Sequence, residues 1–157
     1  MLPADINSTL KARFGEVVLE YKEDAANSFV KVAPAAVRDI CRTLKDSRDF
    51  AFDGLMCLSG VDAGANFQVV YHLYSYLRRH KIVIKTEAPR ENPVVKSVES
   101  VWAVAGFHER EAFDLLGIVF EGNSDLRRIM MPEDWPGHPL RKDYQEIENY
   151  RGVSTKR

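Results

Sequence analysis

The 157-residue sequence has no strong excess of charge of either sign. It contains 22 basic and 23 acidic side chains, which gives a formal net charge of -1 at pH 7. Proteins that bind nucleic acid usually carry a basic face or stripe that neutralises phosphates. We therefore expect no nucleic acid partner.

Long apolar runs are also missing. The longest, Val101 to Phe107, is much shorter than the roughly 20 residues that a helix needs to cross a bilayer. Residues 1–5 have neither the basic start nor the apolar stretch of a secretory signal. The sequence thus predicts a cytoplasmic chain that does not itself cross a membrane.

Cysteine is scarce, with two residues in the chain, Cys41 and Cys57. Both lie in apolar stretches, and no CxxC pair occurs, so the pattern indicates reduced thiols rather than a disulfide framework. Two isolated cysteines are also too few to hold an iron–sulfur cluster. The sequence therefore predicts that this chain alone holds no iron–sulfur cluster.

Motifs of common enzyme sites are absent. The sequence contains no GxGxxG or GxxxxGK[ST] phosphate loop and no GxSxG nucleophile elbow. His108 and Glu109 begin a zinc-protease pattern, but Ala112 stands where the second histidine would have to be. The neighbouring carboxylates could serve acid–base chemistry, although ion pairs with arginine are the favoured interpretation. We predict no catalytic residues.

The spacing of apolar residues predicts an α+β fold, with helices packed on a mainly antiparallel sheet. Helical spacing occurs at residues 3–14, 34–44, 94–105 and 107–120, with Gly106 as the break between the last two helices. Strand-like segments occur at residues 17–21, 28–32, 52–61, 67–76 and 81–87. Short polar linkers favour a hairpin for the first two strands and an antiparallel meander for the last three.

After residue 120 the periodicity is lost. Three prolines between residues 132 and 139 favour extended backbone, and Trp135, Leu140 and Tyr144 lie among charged residues. Such a segment cannot bury its own aromatic side chains, so we expect it to lie along another surface, of this chain or of a partner. The predicted organisation is an α+β domain over residues 1–120 and an extended partner-binding tail over residues 121–157.

Two segments carry a specific pattern. The first is EREAFDLLGI at residues 109–118, and the second runs from DLRRI at 125–129 to GHPLRKDY at 137–144. In order and spacing they resemble the C-type, or 30-kDa, subunit family of respiratory complex I, whose pattern reads approximately EREVYDLFGI, GHPDLRRIL and GHPLRKD. Where that family has Gly-His-Pro before DLRRI, this chain has Gly122-Asn123-Ser124, so no role is carried over for that histidine.

The resemblance implies a structural subunit that binds no cofactor itself. Its place would be the quinone module in the peripheral arm of a proton-translocating NADH:quinone oxidoreductase. It would dock there on the 49-kDa-type subunit, beside other peripheral-arm subunits. Flavin, iron–sulfur clusters and quinone would belong to the assembled complex, and the chain would lie peripherally at the cytoplasmic side of the cell membrane.

Two alternatives to this function remain open. One is the equivalent subunit of a related membrane-bound hydrogenase or of a ferredoxin- or F420-linked dehydrogenase. The other, of a different class, is a stand-alone binding module for a small ligand.

The predicted partner contacts all lie in the tail. Guanidinium groups can clamp carboxylates or carbonyl oxygens, Trp and Tyr are common interface anchors, and prolines reduce the entropy lost on ordering. The predicted partner-binding residues are Arg127, Arg128, Trp135, His138, Pro139, Leu140, Arg141, Lys142, Asp143 and Tyr144. Arg127 and Arg128 could equally form ion pairs inside the chain. The candidate acceptors for such pairs are Glu109, Glu111 and Asp114.

Overall fold

The computed structural model describes residues 2–24 and 26–155. Its described part contains the helices α1 (Pro3–Phe14), α2 (Val37–Asp46) and α3 (Ala105–Leu116). Helix α1 begins at Pro3, where a missing backbone N–H leaves no helical hydrogen bond unmade. Helix α2 buries every apolar residue that the helical spacing selected, namely Val37, Ile40, Cys41 and Leu44. Both helices lie where the sequence predicted them.

The main sheet has five strands in the order β1-β2-β5-β4-β3. Their bounds are β1 Val18–Lys22, β2 Phe29–Val32, β3 Gly54–Asp62, β4 Asn66–Ser75 and β5 His80–Pro89. The predicted hairpin β1–β2 and the meander β3–β4–β5 are both present and antiparallel. The two units join through a parallel pairing of β2 with β5, which the sequence did not reveal. The mainly antiparallel α+β fold is confirmed.

One face of this sheet carries the core. In β4, Phe67, Val69, Tyr71 and Leu73 are all at most 1% exposed, as expected for alternate residues on a covered face. They belong to one hydrophobic cluster with the apolar sides of the three helices. Glycine at position 60 lets α3 lie directly on β3, since a Cβ there would be 2.7 Å from Cδ1 of Leu116.

The prediction of two helices between residues 94 and 120 was wrong. Val94–Lys96 forms strand β6, which pairs in parallel with β7 (Val119–Glu121). The single helix α3 begins at Ala105, so Gly106 lies inside its first turn rather than at a break. The helical spacing of residues 98–102 marks a turn, in which the N–H of Trp102 donates to the carbonyl of Val98 over 3.0 Å.

The described part of the tail, up to residue 155, contains no helix. After Glu121, which ends β7, the strands in this described part are the short antiparallel pair β8 (Asn149–Tyr150) and β9 (Val153–Ser154). Across residues 2–24 and 26–155, none of the helices has the length and apolar composition needed to span a bilayer.

Candidate partner-binding surface

Asp114, near the end of α3, is the centre of the tail's attachment to the domain. Its carboxylate is fully buried. Oδ2 accepts hydrogen bonds from the backbone N–H groups of Ile129, Met130 and Met131, over 3.1, 2.7 and 2.8 Å. Burial acts to raise the pKa of Asp114, but these donors and the nearby guanidinium of Arg128 outweigh it, and the pKa lies below its usual range. Asp114 is thus kept in its charged form, and the backbone of the tail wraps around its carboxylate.

Arg128 connects that carboxylate to the next part of the tail. Its Nη1 lies 3.1 Å from Oδ1 of Asp114. Its Nη2 donates to the carbonyls of Trp135 and Gly137, each over 3.0 Å. A planar guanidinium suits such a three-way contact because its donors point in fixed directions. Arg128 therefore acts inside the chain, with its side chain 15% exposed.

The segment from His138 to Arg141 caps the C-terminal end of α3. A helix ends with carbonyls that lack helical partners. Here the Nδ1 of His138 bonds to the carbonyl of Asp114 over 2.8 Å, and the N–H of Leu140 donates to that of Leu115 over 3.0 Å. The Nε of Arg141 donates to the carbonyl of Leu116 over 2.6 Å. The GHPLR sequence is therefore a helix cap supplied from the tail.

Gly117 makes this close approach possible. Its φ of +75° is the left-handed conformation typical of a residue that ends a helix, and its N–H donates to the carbonyl of Phe113 over 2.8 Å. A Cβ at this position would collide with Nη2 of Arg141 and lie 2.7 Å from the ring of His138. Both the backbone conformation and the space require glycine.

A second buried carboxylate, Asp62 at the end of β3, holds the tail further along. It accepts from the N–H of Lys142 over 2.9 Å and from Nη1 of Arg90 over 2.7 Å. The hydrogen bond from Arg90, together with those from the backbone N–H groups of Lys142 and Gly64, holds the pKa of Asp62 well below its usual range. Arg90 also reaches Asp143 over 2.6 Å. The guanidinium carbons of Arg90 and Arg141 lie 4.9 and 5.0 Å from the centre of the buried Phe67 ring.

The tail's aromatic residues pack on one another. The Nε1 of Trp135 donates to the hydroxyl of Tyr144 over 3.0 Å, and the rings of Trp135 and Tyr150 are 4.9 Å apart. Asp134 accepts from the Tyr150 hydroxyl over 2.7 Å and pairs with Arg151 over 2.9 Å. Trp135 and Tyr144 are consequently half-buried, although the sequence led us to expect that the tail could not bury them.

These inward bonds leave apolar side chains of the tail in solvent. The exposed ones are Ile129 at 40%, Met130 at 66%, Leu140 at 61% and Val153 at 68%. Pro139 is half-buried, and the side chains of Lys142 and Asp143 are exposed. The tail therefore turns its polar backbone atoms toward the domain and several large apolar groups outward.

Three of the side chains proposed for ion pairs behave differently from the prediction. Glu109 is fully buried and accepts from Ser97 Oγ, the N–H of Val98 and Nδ2 of Asn123, without an arginine partner. Its pKa is raised, chiefly because burial disfavours the charged form. Glu111 is exposed and forms no ion pair with any residue in the described ranges. Arg127 is paired with Asp125 at the surface, over 2.9 Å.

Little in the sequence indicated which residues receive the tail. Asp62, Phe67 and Arg90 lie far from the tail along the chain, but the ends of β3 and β5 and the start of β4 meet at one end of the sheet. The glycine at 117 was the one available signal, because glycine often ends a helix, but it lies inside the helix that was predicted over residues 107–120. Its contact with the GHPLR segment could not be read from spacing.

Among residues 2–24 and 26–155, no group of three or more His, Cys, Asp or Glu side chains is placed to hold a metal ion. Cys41 is buried in the core, and burial, together with the charge of Glu109, raises the pKa of its thiol. Burial lowers the pKa of His138, which favours the neutral ring that caps α3.

Most of the chain matches a known protein family and individual proteins. Residues 30–150 match the family described as the respiratory-chain NADH dehydrogenase 30-kDa subunit. A C-type subunit of NADH-quinone oxidoreductase from Roseiflexus castenholzii is 43% identical over 137 residues, covering 85% of this chain and 79% of that protein. The C-type subunit from Chloroherpeton thalassium is 40% identical over 149 residues, covering 93% of this chain and 62% of that longer protein.

Two solved structures share the fold. A trypsin-resistant fragment of Nqo5 superposes with a TM-score of 0.63 at 25% identity, over 77% of this chain and 98% of the fragment. A chain of the membrane-bound sulfane sulfur reductase, an archaeal respiratory membrane complex, gives a TM-score of 0.74 at 23% identity, over 92% of this chain and 86% of that chain. The family match and the relatives together show that the chain belongs to the family of 30-kDa, or C-type, subunits of respiratory-chain NADH dehydrogenases.

Proposed function

We propose that this chain is a structural subunit of the quinone module, in the peripheral arm of a proton-translocating NADH:quinone oxidoreductase. It docks on the 49-kDa-type subunit through the exposed side of its tail. Family membership supports the assembly, and the geometry of the tail supports the contact. Flavin, iron–sulfur clusters and quinone then belong to other parts of the complex, and this chain is held peripherally at the cytoplasmic side of the membrane.

The docking proposal depends on one observation, the outward apolar face of an inwardly anchored tail. Met130 and Leu140 are more than half exposed, although the backbone beside each is fixed by a bond to the domain. Burying such side chains in a partner is favourable, by about 25 cal/mol for each Å² of apolar surface removed from water. A tail that is already ordered loses little entropy on binding, so more of that gain appears as affinity.

The proposal that this chain binds no cofactor is supported by its thiols. Cys41 is fully buried with a raised pKa, and metal binding requires the thiolate. Cys57 lies on a different element, and its sulfur is 3.2 Å from the hydroxyl of Ser59. We expect the pure chain to contain less than about 0.1 iron atom per molecule and no flavin absorbance. Stoichiometric iron or a flavin band would overturn this part of the proposal.

Partner identity can be tested by purifying the tagged full chain from membranes of its own organism. The proposal predicts that a 49-kDa-type subunit co-purifies with it, together with flavin- and cluster-bearing subunits that oxidise NADH. Recovery with a hydrogenase or with a ferredoxin- or F420-linked dehydrogenase would assign it to a related machine. Recovery as a monomer without partners would contradict the proposal and favour the stand-alone binding module.

A further inference from the structure

Strand β3 forms one free edge of the sheet, and that edge is unprotected. Sheet edges attract other strands, and proteins usually shield them with charges, prolines, bulges or short length. The opposite edge strand, β1, is short, carries Glu20 and Lys22, and contains a bulge. In contrast, β3 extends from Gly54 to Asp62 with no charged residue or proline before its last position. Its own bulge, near Met56, lies at the far end.

The hydrogen-bonding pattern shows which backbone groups of β3 face outward. At the turn into β4, the N–H of Ala63 donates to the carbonyl of Asn66 over 3.0 Å. Because bonded and non-bonded pairs alternate along antiparallel strands, Cys57 and Ser59 bond to β4. The N–H and C=O groups of Leu58 and Gly60 point away from β4. Within residues 2–24 and 26–155 they have no hydrogen-bond partner.

A groove of about 290 Å³ follows this edge. Four consecutive residues of β3, 57–60, line one side. Neighbouring side chains point to opposite faces of a sheet, so all four can line one groove only if it follows the backbone edge. The other side consists of α3 and the tail, through His108, Glu111, Ala112, Leu115, Leu116 and Leu140.

The groove also has a defined chemistry. Leu115 and Leu116 give its α3 side an apolar surface, and the exposed Leu140 of the tail makes it continuous with the proposed docking face. Glu111 stands on the same side, exposed and without an ion pair among the described residues. The groove thus offers unpaired backbone groups, an apolar wall and one free carboxylate.

We propose that this groove binds an extended segment of the partner subunit, which adds a sixth strand beside β3. The segment pairs with the backbone of Leu58 and Gly60, turns an apolar side chain toward Leu115 and Leu140, and carries a basic residue that meets Glu111. This inference rests on the proposed function, because the same partner supplies the strand. The partner would then make two contacts with this chain: backbone hydrogen bonds to β3, and apolar packing against the exposed side chains of the tail.

Residue-resolved hydrogen exchange on the full chain, alone and in complex with its 49-kDa-type partner, tests the inference. The amides of Leu58 and Gly60 should exchange quickly in the isolated chain and at least about 10-fold more slowly in the complex. The amides of Cys57 and Ser59, which bond to β4, serve as internal controls and should be protected in both samples.

The outcomes separate the two proposals. A stable complex in which Leu58 and Gly60 still exchange quickly overturns the added strand but leaves tail docking intact. Failure of the chain to bind the partner overturns both proposals. Protection that appears in the isolated chain as its concentration rises would assign the groove to a second copy of this chain, and would also overturn the inference.

Charge reversal gives a second measurement on the folded full chain. Glu111→Lys should weaken binding of the partner about 10-fold, because it places like charges opposite each other in a partly enclosed groove. Glu16→Lys, at an exposed position near the opposite edge of the sheet, is the matched control and should leave binding unchanged. Equal affinities for the two variants would contradict the basic residue proposed for the partner strand.

Discussion

A single carboxylate, Asp114, organises much of the tail. It accepts hydrogen bonds from three backbone N–H groups and pairs with one guanidinium. These contacts explain why its pKa is low although burial acts in the opposite direction. Glu109, one and a half turns earlier on α3, has neutral donors only, and burial keeps its pKa raised. Two buried acidic residues of one helix thus differ in charge behaviour because only one has a cationic partner.

Replacement of Asp114 by asparagine should be strongly destabilising. The Asp114→Asn side chain has the same shape, but it leaves Arg128 without its anion and turns an amide toward existing donors. Breaking a buried ion pair in this way costs about 3 kcal/mol of unfolding free energy, measurable by urea denaturation. Asp125→Asn is the matched control, because its carboxylate is 56% exposed and its pairs with Arg110, over 3.3 Å, and Arg127, over 2.9 Å, are each worth less than about 1 kcal/mol. Equal losses in the two variants would contradict the role given to Asp114.

The same carboxylate predicts a dependence of stability on pH. The folded pKa of Asp114 lies below the value of about 3.9 in unfolded chains, so its contribution is complete above that value and is lost as the pH falls through the folded pKa. The stability difference between wild type and Asp114→Asn should therefore be largest near pH 7 and shrink below about pH 4. A difference that stayed constant down to pH 3 in urea titrations would argue against this electrostatic origin.

At the scale of elements, helix α3 and the tail complete each other. The carbonyls of residues 113–116 all receive donors, one from Gly117 and three from the tail. These bonds in turn fix the backbone of the tail, which has almost no regular secondary structure of its own. The two segments that carry the family resemblance, residues 109–118 and 125–144, are therefore in contact with each other.

Gly117→Ala tests this junction. Alanine must adopt a left-handed φ of +75° and must also displace Arg141 and His138, so we expect a loss of about 2–3 kcal/mol in unfolding free energy. Gly64→Ala is the control, because φ is +89° there but no atom lies within 4 Å of the added Cβ. Its loss should be only about 1 kcal/mol. If both variants lost the same free energy in denaturant titrations, close packing of the tail on Gly117 would be disproved.

The sequence predicted those elements whose apolar periodicity is local. Helices α1 and α2, the hairpin and the meander all follow directly from such spacing. Residues 94–102 misled us because their valines suit both a helix and a strand, and only the pairing of Val94 and Val95 with β7 decided between them. The parallel pairing of β2 with β5 joins distant segments, and no local pattern encodes it.

At the scale of the whole molecule, the candidate surface was only partly visible in the sequence. The sequence predicted the tail as the partner-binding segment, and the structure shows that Arg128, His138 and Arg141 in it each bond to the chain itself. Their inward role depends on contacts with Asp114 and the end of α3 that only the folded structure brings together. Leu140, among the same predicted residues, is the one whose apolar side chain is largely exposed.

The molecule as a whole therefore has a folded domain and, on one side of it, an ordered tail with exposed apolar side chains. Both buried carboxylates, Asp62 and Asp114, accept hydrogen bonds from the backbone of the tail, and Met130 and Leu140 of the tail stay exposed. We propose that the exposed side of the tail, and not the rest of the surface, contacts the 49-kDa-type subunit.

The most direct test is the affinity of the full chain for that partner after replacing Leu140. Leu140→Asp should weaken binding by at least about 10-fold, equivalent to about 1.4 kcal/mol, because it places a charge in an apolar contact without disturbing the inward bond of its backbone. Leu77→Asp, at the exposed turn between β4 and β5, should bind like wild type. If Leu140→Asp also bound like wild type in a calorimetric titration, the tail would not be the docking surface.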